Sequence, residues 1–371
     1  VEYRIGKMHA AGLGTGQDYK EATGWFEMAA SRSHKYAQYS LTGLHYRGQG
    51  VEQNYETAFR LCGKSAAQHV PYANYELAKM YRDGIGTEKD ADEAELNFEE
   101  AFYGFKRLEE QSHDDKLQYR LGQMLYTGTG TEKDVEAAIG YFEKAARLGN
   151  VHAQYMLGKV YLDENGGLKN PVKAVLLLSK AADNGNSLAQ YALGKLYRDG
   201  EHVEKDIAKA VELFTKVAEQ NNSFAQYQLG KLYLLGQDVP KDVEAALRWL
   251  TMSAERNSQY AQYSLGKLYL MGRDVPRDCE AAMRWFTLSA EQGNIYSQFF
   301  LDHPDVYRDP PLILAATRLL HHLSRIFLDE QKRLSGGPGM QTDSKLRRRI
   351  REKKIAQGHA PDDHELRQTT Y

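Results

Sequence analysis

The chain has 371 residues, of which 42% are hydrophobic and 26% charged, and its formal net charge is −2. This composition is typical of a soluble protein, and the small net charge does not indicate whether the chain as a whole attracts a polyanionic partner. No run approaches the stretch of about 18 apolar residues that a membrane-spanning helix needs, and the start does not resemble a signal peptide.

A tyrosine recurs at a fixed spacing along most of the chain. Successive members lie 36 residues apart, except for the step from Tyr75 to Tyr119, which spans 44 residues. A period in this range predicts a solenoid, in which one supersecondary unit stacks on copies of itself and presents an extended surface to another macromolecule. Because the chain starts at Val1 with Tyr3 already inside a unit, we also expect further sequence before it. The series comprises Tyr3, Tyr39, Tyr75, Tyr119, Tyr155, Tyr191, Tyr227 and Tyr263, and it ends at Phe299.

Residues 187–218 show the unit most clearly, as two amphipathic helices. In each half the apolar residues follow the i, i+4, i+7 spacing of a helix with one buried face. We expect Gly200 to end the first helix with a positive φ, and Asp206 to cap the second by accepting backbone amides. We therefore predict an all-α chain, an α/α solenoid (superhelix) of about eight 36-residue helical hairpins. The capping position recurs at Asp90, Asp134, Asp242 and Asp278, with Asn170 before Pro171 as a variant.

A small residue stands in the middle of each first helix. Glycine inside a helix costs about 1 kcal/mol relative to alanine, so a repeated glycine predicts that the second helix crosses closely at that point. The second helices carry large residues that could pack against these small ones, such as Phe142 and Phe286. We interpret this alternation as core packing and not as a cofactor site. The small residues are Gly6, Thr42, Ala78, Gly122, Gly158, Gly194, Gly230 and Gly266.

The regular spacing is broken by one insertion and by the end of the chain. The eight extra residues fall between Asp90 and Tyr119, where we expect the second helix to extend and residues 111–116 to form a polar loop. After Phe299 the unit degenerates, as the open end of a solenoid core requires a cap. The predicted divisions are the repeats over 1–302, a C-terminal capping helix over 303–334, and a linker with a basic polar tail over 335–371.

The repeated motif Ala-Gln-Tyr-x-Leu-Gly-Lys-x-Tyr, followed by a glycine-containing loop, Asp and a second helix, resembles the Sel1-like repeat. Residues 73–79 and 117–123 depart from the motif but keep its core positions. The resemblance covers roughly residues 1–302. The Sel1-like repeat is similar to the tetratricopeptide repeat. The resemblance therefore implies a non-catalytic α/α superhelix that acts as an adaptor or scaffold for other proteins. The best matches are 153–161, 189–197, 225–233 and 261–269.

A second resemblance concerns the last 55 residues or so of the chain. Residues 317–327, 343–354 and 358–364 look like the tail of certain mobilisation relaxases from Gram-positive conjugative elements. In those proteins a DNA-nicking domain precedes a Sel1-like array. This resemblance implies that the chain is the C-terminal part of a DNA mobilisation protein, and it assigns no nicking residue to any position of this sequence.

A helical wheel of the first helix leaves one arc that the core does not claim, at the positions of His152, Met156 and Lys159. The His152 column is rich in aromatic residues, which indicates either an interface or a staple of each helix onto the preceding unit. The Lys159 column indicates either a solvated edge or a cationic track for an acidic peptide or nucleic acid. The aromatic column comprises Tyr36, Tyr72, Lys116, His152, Leu188, Phe224, Tyr260 and Tyr296, and the lysine column comprises Lys7, Lys79, Lys159, Lys195, Lys231 and Lys267. We predict that a protein or peptide binds on the concave face at Phe224, Tyr260, Tyr296, Lys159, Lys195, Lys231 and Lys267.

The tail offers a different kind of binding site. Seven basic residues stand against Glu352 alone, a local charge of +6 that suits contacts to phosphates. The other interpretation is a solvated terminal helix, because no aromatic residues alternate with the basic ones for stacking on bases. A nucleic-acid-binding accessory module therefore stands as the alternative to a protein scaffold. The basic residues are Lys345, Arg347, Arg348, Arg349, Arg351, Lys353 and Lys354.

The sequence contains no residue pattern that indicates a catalytic site. The chain has no phosphate-binding Gly-x-x-x-x-Gly-Lys-Ser/Thr sequence, and His321 and His322 are adjacent and therefore point to different sides of a helix. Cys62 and Cys279 lie too far apart along a stack to pair, and free thiols are typical of a reducing compartment. We therefore expect no enzyme activity, no cofactor, no metal and no small-molecule substrate, no membrane contact, and a cytoplasmic protein.

Overall fold

A computed structural model describes residues 1–163 and 169–303, and their regular structure consists of seventeen α-helices. The predicted capping helix and basic tail lie outside the described residues, apart from His303. The helices are α1 (Glu2–Ala11), α2 (Tyr19–Ser31), α3 (Lys35–Arg47), α4 (Tyr55–Ala66), α5 (Pro71–Asp83), α6 (Ala91–Ser112), α7 (Asp115–Thr127), α8 (Val135–Arg147), α9 (Val151–Leu162), α10 (Pro171–Asp183), α11 (Ser187–Asp199), α12 (Ile207–Glu219), α13 (Ser223–Leu235), α14 (Val243–Glu255), α15 (Gln259–Met271), α16 (Cys279–Glu291) and α17 (Ile295–Asp302).

The helices alternate between two roles, as the repeat predicts. Odd-numbered helices carry the recurring tyrosine, or Phe299 in α17, and are called A helices here; even-numbered helices are called B helices. The chain divides into two compact units, one up to Gln220 and one from Asn221 onward. Within each unit an A helix packs against the B helix that follows it, and that B helix packs against the next A helix. This order of contacts is that of an α/α repeat solenoid and confirms the predicted fold class.

The predicted helix ends are confirmed by their hydrogen bonds. Gly200 follows α11 with a φ of 70°, in the left-handed region that favours glycine. The Asp206 carboxylate accepts from the Lys209 amide at 2.9 Å and begins α12. Side chains at the equivalent position begin every other B helix of the described residues, namely Asp18, Asn54, Asp90, Asp134, Asn170, Asp242 and Asp278.

The glycines inside the A helices mark close crossings, as predicted. A Cβ placed on Gly122 would lie 2.7 Å from the Phe142 ring, and one on Gly158 would lie 2.6 Å from the Leu178 side chain. Real Cβ atoms do not approach other carbon atoms that closely, so the B helix excludes any larger residue. The same crossing joins Gly6 to Phe26, Gly194 to Phe214, Gly230 to Leu250 and Gly266 to Phe286.

In the second repeat, residues 35–70, the A helix has the larger residue at the crossing and the B helix the smaller one. Thr42 stands where other A helices have glycine, and Cys62 replaces the large residue of the B helix. Both side chains are almost fully covered, and each donates to a backbone carbonyl, Thr42 to that of Gln38 and Cys62 to that of Ala73. One larger and one smaller side chain thus fill about the same space as glycine with phenylalanine.

The insertion lengthens a helix, and the predicted loop is wrong. Helix α6 has 22 residues where most B helices have 13. It continues through Ser112, and α7 begins at Asp115, so residues 111–116 are mostly helical. The extension persists because it packs on its own A helix: Phe105 lies 5.0 Å from the Tyr72 ring, and a Cβ on Gly104 would lie 2.5 Å from Pro71.

Candidate interaction face on the A helices

The A helices expose the arc that the helical wheel predicts, and we call this surface the A-helix face. In the aromatic column, Phe224 is 57% exposed, Tyr260 51% and Leu188 50%. Tyr36 and Tyr72 are also exposed, whereas Tyr296 is partly buried. Large apolar side chains with half of their surface in water are unusual at repeated positions and often mark a contact surface.

The same side chains also hold consecutive units together. The Tyr260 ring centroid lies 6.0 Å from Tyr227, and Tyr296 lies 5.9 Å from Tyr263. Tyr39 and Tyr72 form the equivalent pair in the other compact unit, at 6.4 Å. The two interpretations of the aromatic column are therefore compatible, because Tyr72 and Tyr260 pack on the preceding A helix and still expose part of their surface to water.

The lysine column is exposed at most of its positions. Lys7, Lys159, Lys195 and Lys231 are exposed, and Lys79 and Lys267 are partly covered. Lys79 forms a salt bridge of 2.8 Å with Glu76 on its own helix. A pair this exposed contributes little to stability, so its effect on the surface is to neutralise one lysine of the column.

In the second compact unit, α13 and α15 give the A-helix face positive charge without an acid on either helix. Helices α13 and α15 contain no aspartate or glutamate, and each presents one lysine, Lys231 or Lys267. Burial, followed by repulsion from Lys231, lowers the pKa of Lys267. No carboxylate among the described residues forms a salt bridge with either lysine. Two cations beside Phe224 and Tyr260 make this surface suited to an acidic partner with apolar side chains.

One feature of the A-helix face was missed by the sequence reasoning. The third column of the arc, at the Met156 position, holds Glu76 and Ser40, and both line a cleft of about 700 Å³ between α1, α3 and α5. Gly43 lies in the same wall, at the place where the lysine column would put a lysine. The signal that could have revealed the cleft is this gap in the column.

The remaining predicted residues fall outside this surface. The basic residues from Lys345 to Lys354 lie beyond the described part of the chain. Among residues 1–163 and 169–303, no cluster of three or more histidine, cysteine or acidic side chains is arranged to hold a metal ion. Nor does any helix within those ranges have the length and hydropathy to cross a membrane. Cys62 is a buried free thiol and Cys279 an exposed one.

Stacked helical hairpins with close glycine crossings define the class of α/α repeat proteins. Within that class the chain belongs to the Sel1 repeat family, because the Sel1 repeat pattern matches eight times. The matched segments are 1–34, 35–70, 71–103, 116–150, 151–186, 187–222, 223–258 and 259–294. Proteins of this family are generally protein-interaction scaffolds, and they are typically non-catalytic.

A solved structure agrees with this assignment. The chain is similar to a Sel1 repeat protein from Oxalobacter formigenes, with 26% identity over 81% of this chain and 86% of that one, and a TM-score of 0.58. It also matches c5321, a protective antigen with the same fold from uropathogenic Escherichia coli, at 25% identity over 92% of this chain and 88% of that one. That second match has a TM-score of 0.38. No curated protein matches the chain.

Proposed function

We propose that this chain is a non-catalytic scaffold that captures another protein on its A-helix face. The observation that carries the proposal is the half-exposed aromatic column beside unpaired lysines on α13 and α15. Aromatic side chains supply much of the binding energy at protein interfaces, and lysines at the rim steer an acidic partner. Phe224 and Tyr260 are the proposed anchors, with Tyr296 at the edge.

Affinity capture with paired variants tests the anchors. We expect Phe224→Ser with Tyr260→Ser to abolish retention of partner proteins, because both side chains lose their apolar surface. Met283→Ser with Leu288→Ser is the matched control, since these exposed residues lie on a B helix at 39% and 43% exposure. Loss of the same proteins from both double variants, or from neither, would contradict the proposal.

Charge reversal tests the lysine column separately. We expect Lys195→Glu, Lys231→Glu and Lys267→Glu together to weaken capture and to remove its dependence on salt. The control reverses three exposed B-helix lysines, Lys20, Lys64 and Lys180. Unchanged affinity in the first triple variant would remove the lysine column from the binding site; Lys159 would then lose its proposed role as well.

The rival proposal is a nucleic-acid-binding accessory module that uses the lysine column and the basic tail. The exposure of four lysines in the column supports it. Its binding would fall steeply with salt and would not depend on Phe224 or Tyr260. A DNA titration at low salt with the full chain and with a chain ending at residue 340 separates the two, because the rival requires the tail.

We also propose a context for the scaffold. The resemblance of residues 317–364 to the tail of mobilisation relaxases supports a role as the C-terminal part of a DNA mobilisation protein in the bacterial cytoplasm. The genomic sequence upstream of the codon for Val1 tests this directly. A histidine-rich nicking motif in the same reading frame would support the proposal, and further repeats there would contradict it.

A further inference from the structure

The cleft between α1, α3 and α5 is a concavity built into the A-helix face. Its volume of about 700 Å³ lies within the range of ligand-binding pockets. Tyr3 and Tyr39 line it, and Met80 contributes a buried apolar wall. An apolar side chain placed there would lose much of its contact with water.

The cleft exists because Gly43 interrupts the lysine column. A lysine at this position, as in most other units, would extend into the cleft. Glycine is unfavourable in a helix by about 1 kcal/mol relative to alanine, and the crossing with the B helix does not require it here, since that position in this unit is Thr42. The only atoms that a Cβ on Gly43 would meet within 3.4 Å are those of the flexible Arg47 guanidinium group. Core packing therefore does not account for Gly43, whereas the open cleft does.

The charges around the cleft are unequal. Lys7, Arg47 and Lys79 line it with one carboxylate, Glu76, which is bound to Lys79 at 2.8 Å. The Arg47 Nε donates to the neutral Gln49 side chain at 2.7 Å, so its charge is not compensated by that contact. The surplus is positive, which favours an anionic group at the mouth of an apolar cleft.

We infer that this cleft binds a peptide segment of a partner in which a carboxylate side chain stands next to a large apolar side chain. The apolar side chain contacts Tyr39 and Met80, and the carboxylate lies among Lys7 and Arg47. This inference deepens the proposed scaffold function by assigning a second, chemically defined contact on the A-helix face. It is independent of Phe224 and Tyr260, which lie in the other compact unit.

Methionine-methyl NMR with defined dipeptides tests the inference. Of the nine methionines in the chain, Met80 lines the cleft, and Met283, in the other compact unit and not among the lining residues, serves as the reference. We expect N-acetyl-Glu-Phe-amide to shift the Met80 signal saturably and to leave Met283 unchanged. N-acetyl-Lys-Phe-amide and N-acetyl-Glu-Ser-amide should each bind about tenfold more weakly, the effect of losing one favourable contact.

Variants at Gly43 locate the binding. Gly43→Lys restores the repeat residue and fills the cleft, so we expect it to abolish the Met80 shift while the thermal midpoint stays at or above that of the wild type. Gly43→Ala is the matched control; it adds one methyl group beside the flexible Arg47 tip and should retain binding. An unshifted Met80 with all three peptides, equal binding of the Glu and Lys peptides, full binding by a folded Gly43→Lys variant, or tighter binding of adenosine monophosphate would each overturn the inference. Partner capture through Phe224 and Tyr260 would be unaffected by that failure.

Discussion

In six of the eight hairpins, a glycine at the helix crossing sets the distance between the A helix and its B helix. We expect Gly122→Ala to lower the free energy of unfolding by about 1–3 kcal/mol, because its Cβ would overlap the Phe142 ring. Gly140→Ala is the matched control in the same hairpin. A Cβ there meets nothing within 4 Å, so the variant should gain about 0.5–1 kcal/mol. Urea unfolding followed by circular dichroism measures both, and equal changes would refute the close crossing.

The two cysteines are expected to differ in reactivity. Burial raises the pKa of Cys62 to about 12, so this thiol stays protonated, and the thiolate is the reactive form. Cys279 is exposed at the start of α16. Titration with a thiol reagent at neutral pH should therefore modify one cysteine in the folded chain and both after denaturation. Rapid modification of both in the folded chain would contradict the tight Thr42–Cys62 packing.

Two of the recurring tyrosines are partly buried, and their phenol groups are expected to make the stability of the fold depend on pH. Burial raises the pKa of Tyr39 and Tyr263 from 10.0 to about 12. The unfolded chain therefore loses these protons first as the pH rises, and the associated stability, present below about pH 10, is lost between about pH 10 and 12. Tyr39→Phe with Tyr263→Phe should lose less stability than the wild type between about pH 9 and 11. Urea midpoints at the two pH values measure this, and identical losses would count against the buried phenols.

At the scale of one helix, the caps fix where each B helix begins. We expect Asp206→Ala to lower the free energy of unfolding by about 1 kcal/mol, because the first turn of α12 loses its side-chain acceptor. Glu204→Ala removes the same charge from an exposed loop position two residues earlier and should change stability little. Thermal unfolding of the two variants provides the comparison. Similar losses in both would show that charge, and not the cap, stabilises the helix.

The helices and their crossings were predictable from the sequence because their signals are local and repeated. The roles of Asp206 and Gly200 were predictable because each depends on backbone geometry within one helical turn. The role of Gly194 was predictable because most other repeats have glycine at the equivalent position. The 111–116 loop was predicted wrongly because the contact that extends α6, Phe105 on Tyr72, joins residues 33 positions apart. The cleft at Gly43 was not predicted for a similar reason, because side chains from three separate A helices form it.

The whole chain combines uniform packing with a varied surface. All eight described hairpins repeat the tyrosine and a capped B helix, and six of the eight repeat the glycine crossing, so these features stabilise the fold and do not distinguish partners. The A-helix face does vary between repeats. One column has Phe224 and Tyr260 in two repeats but the polar Lys116 and His152 in two others, and the lysine column has Gly43 in the second repeat. Recognition is therefore expected where units differ, and a family assignment alone does not identify the partner.

Site-specific photo-crosslinking tests the central claim, that the A-helix face binds a protein. A benzophenone amino acid replaces Phe224 or Tyr260 in separate chains, and Met283 or Leu288 in the B-helix controls. We predict that irradiation of each A-helix variant in cell extract yields one dominant covalent adduct with the same protein, and that the control positions yield none with it. Equal crosslinking from both kinds of helix, or adducts from the control positions alone, would contradict the account.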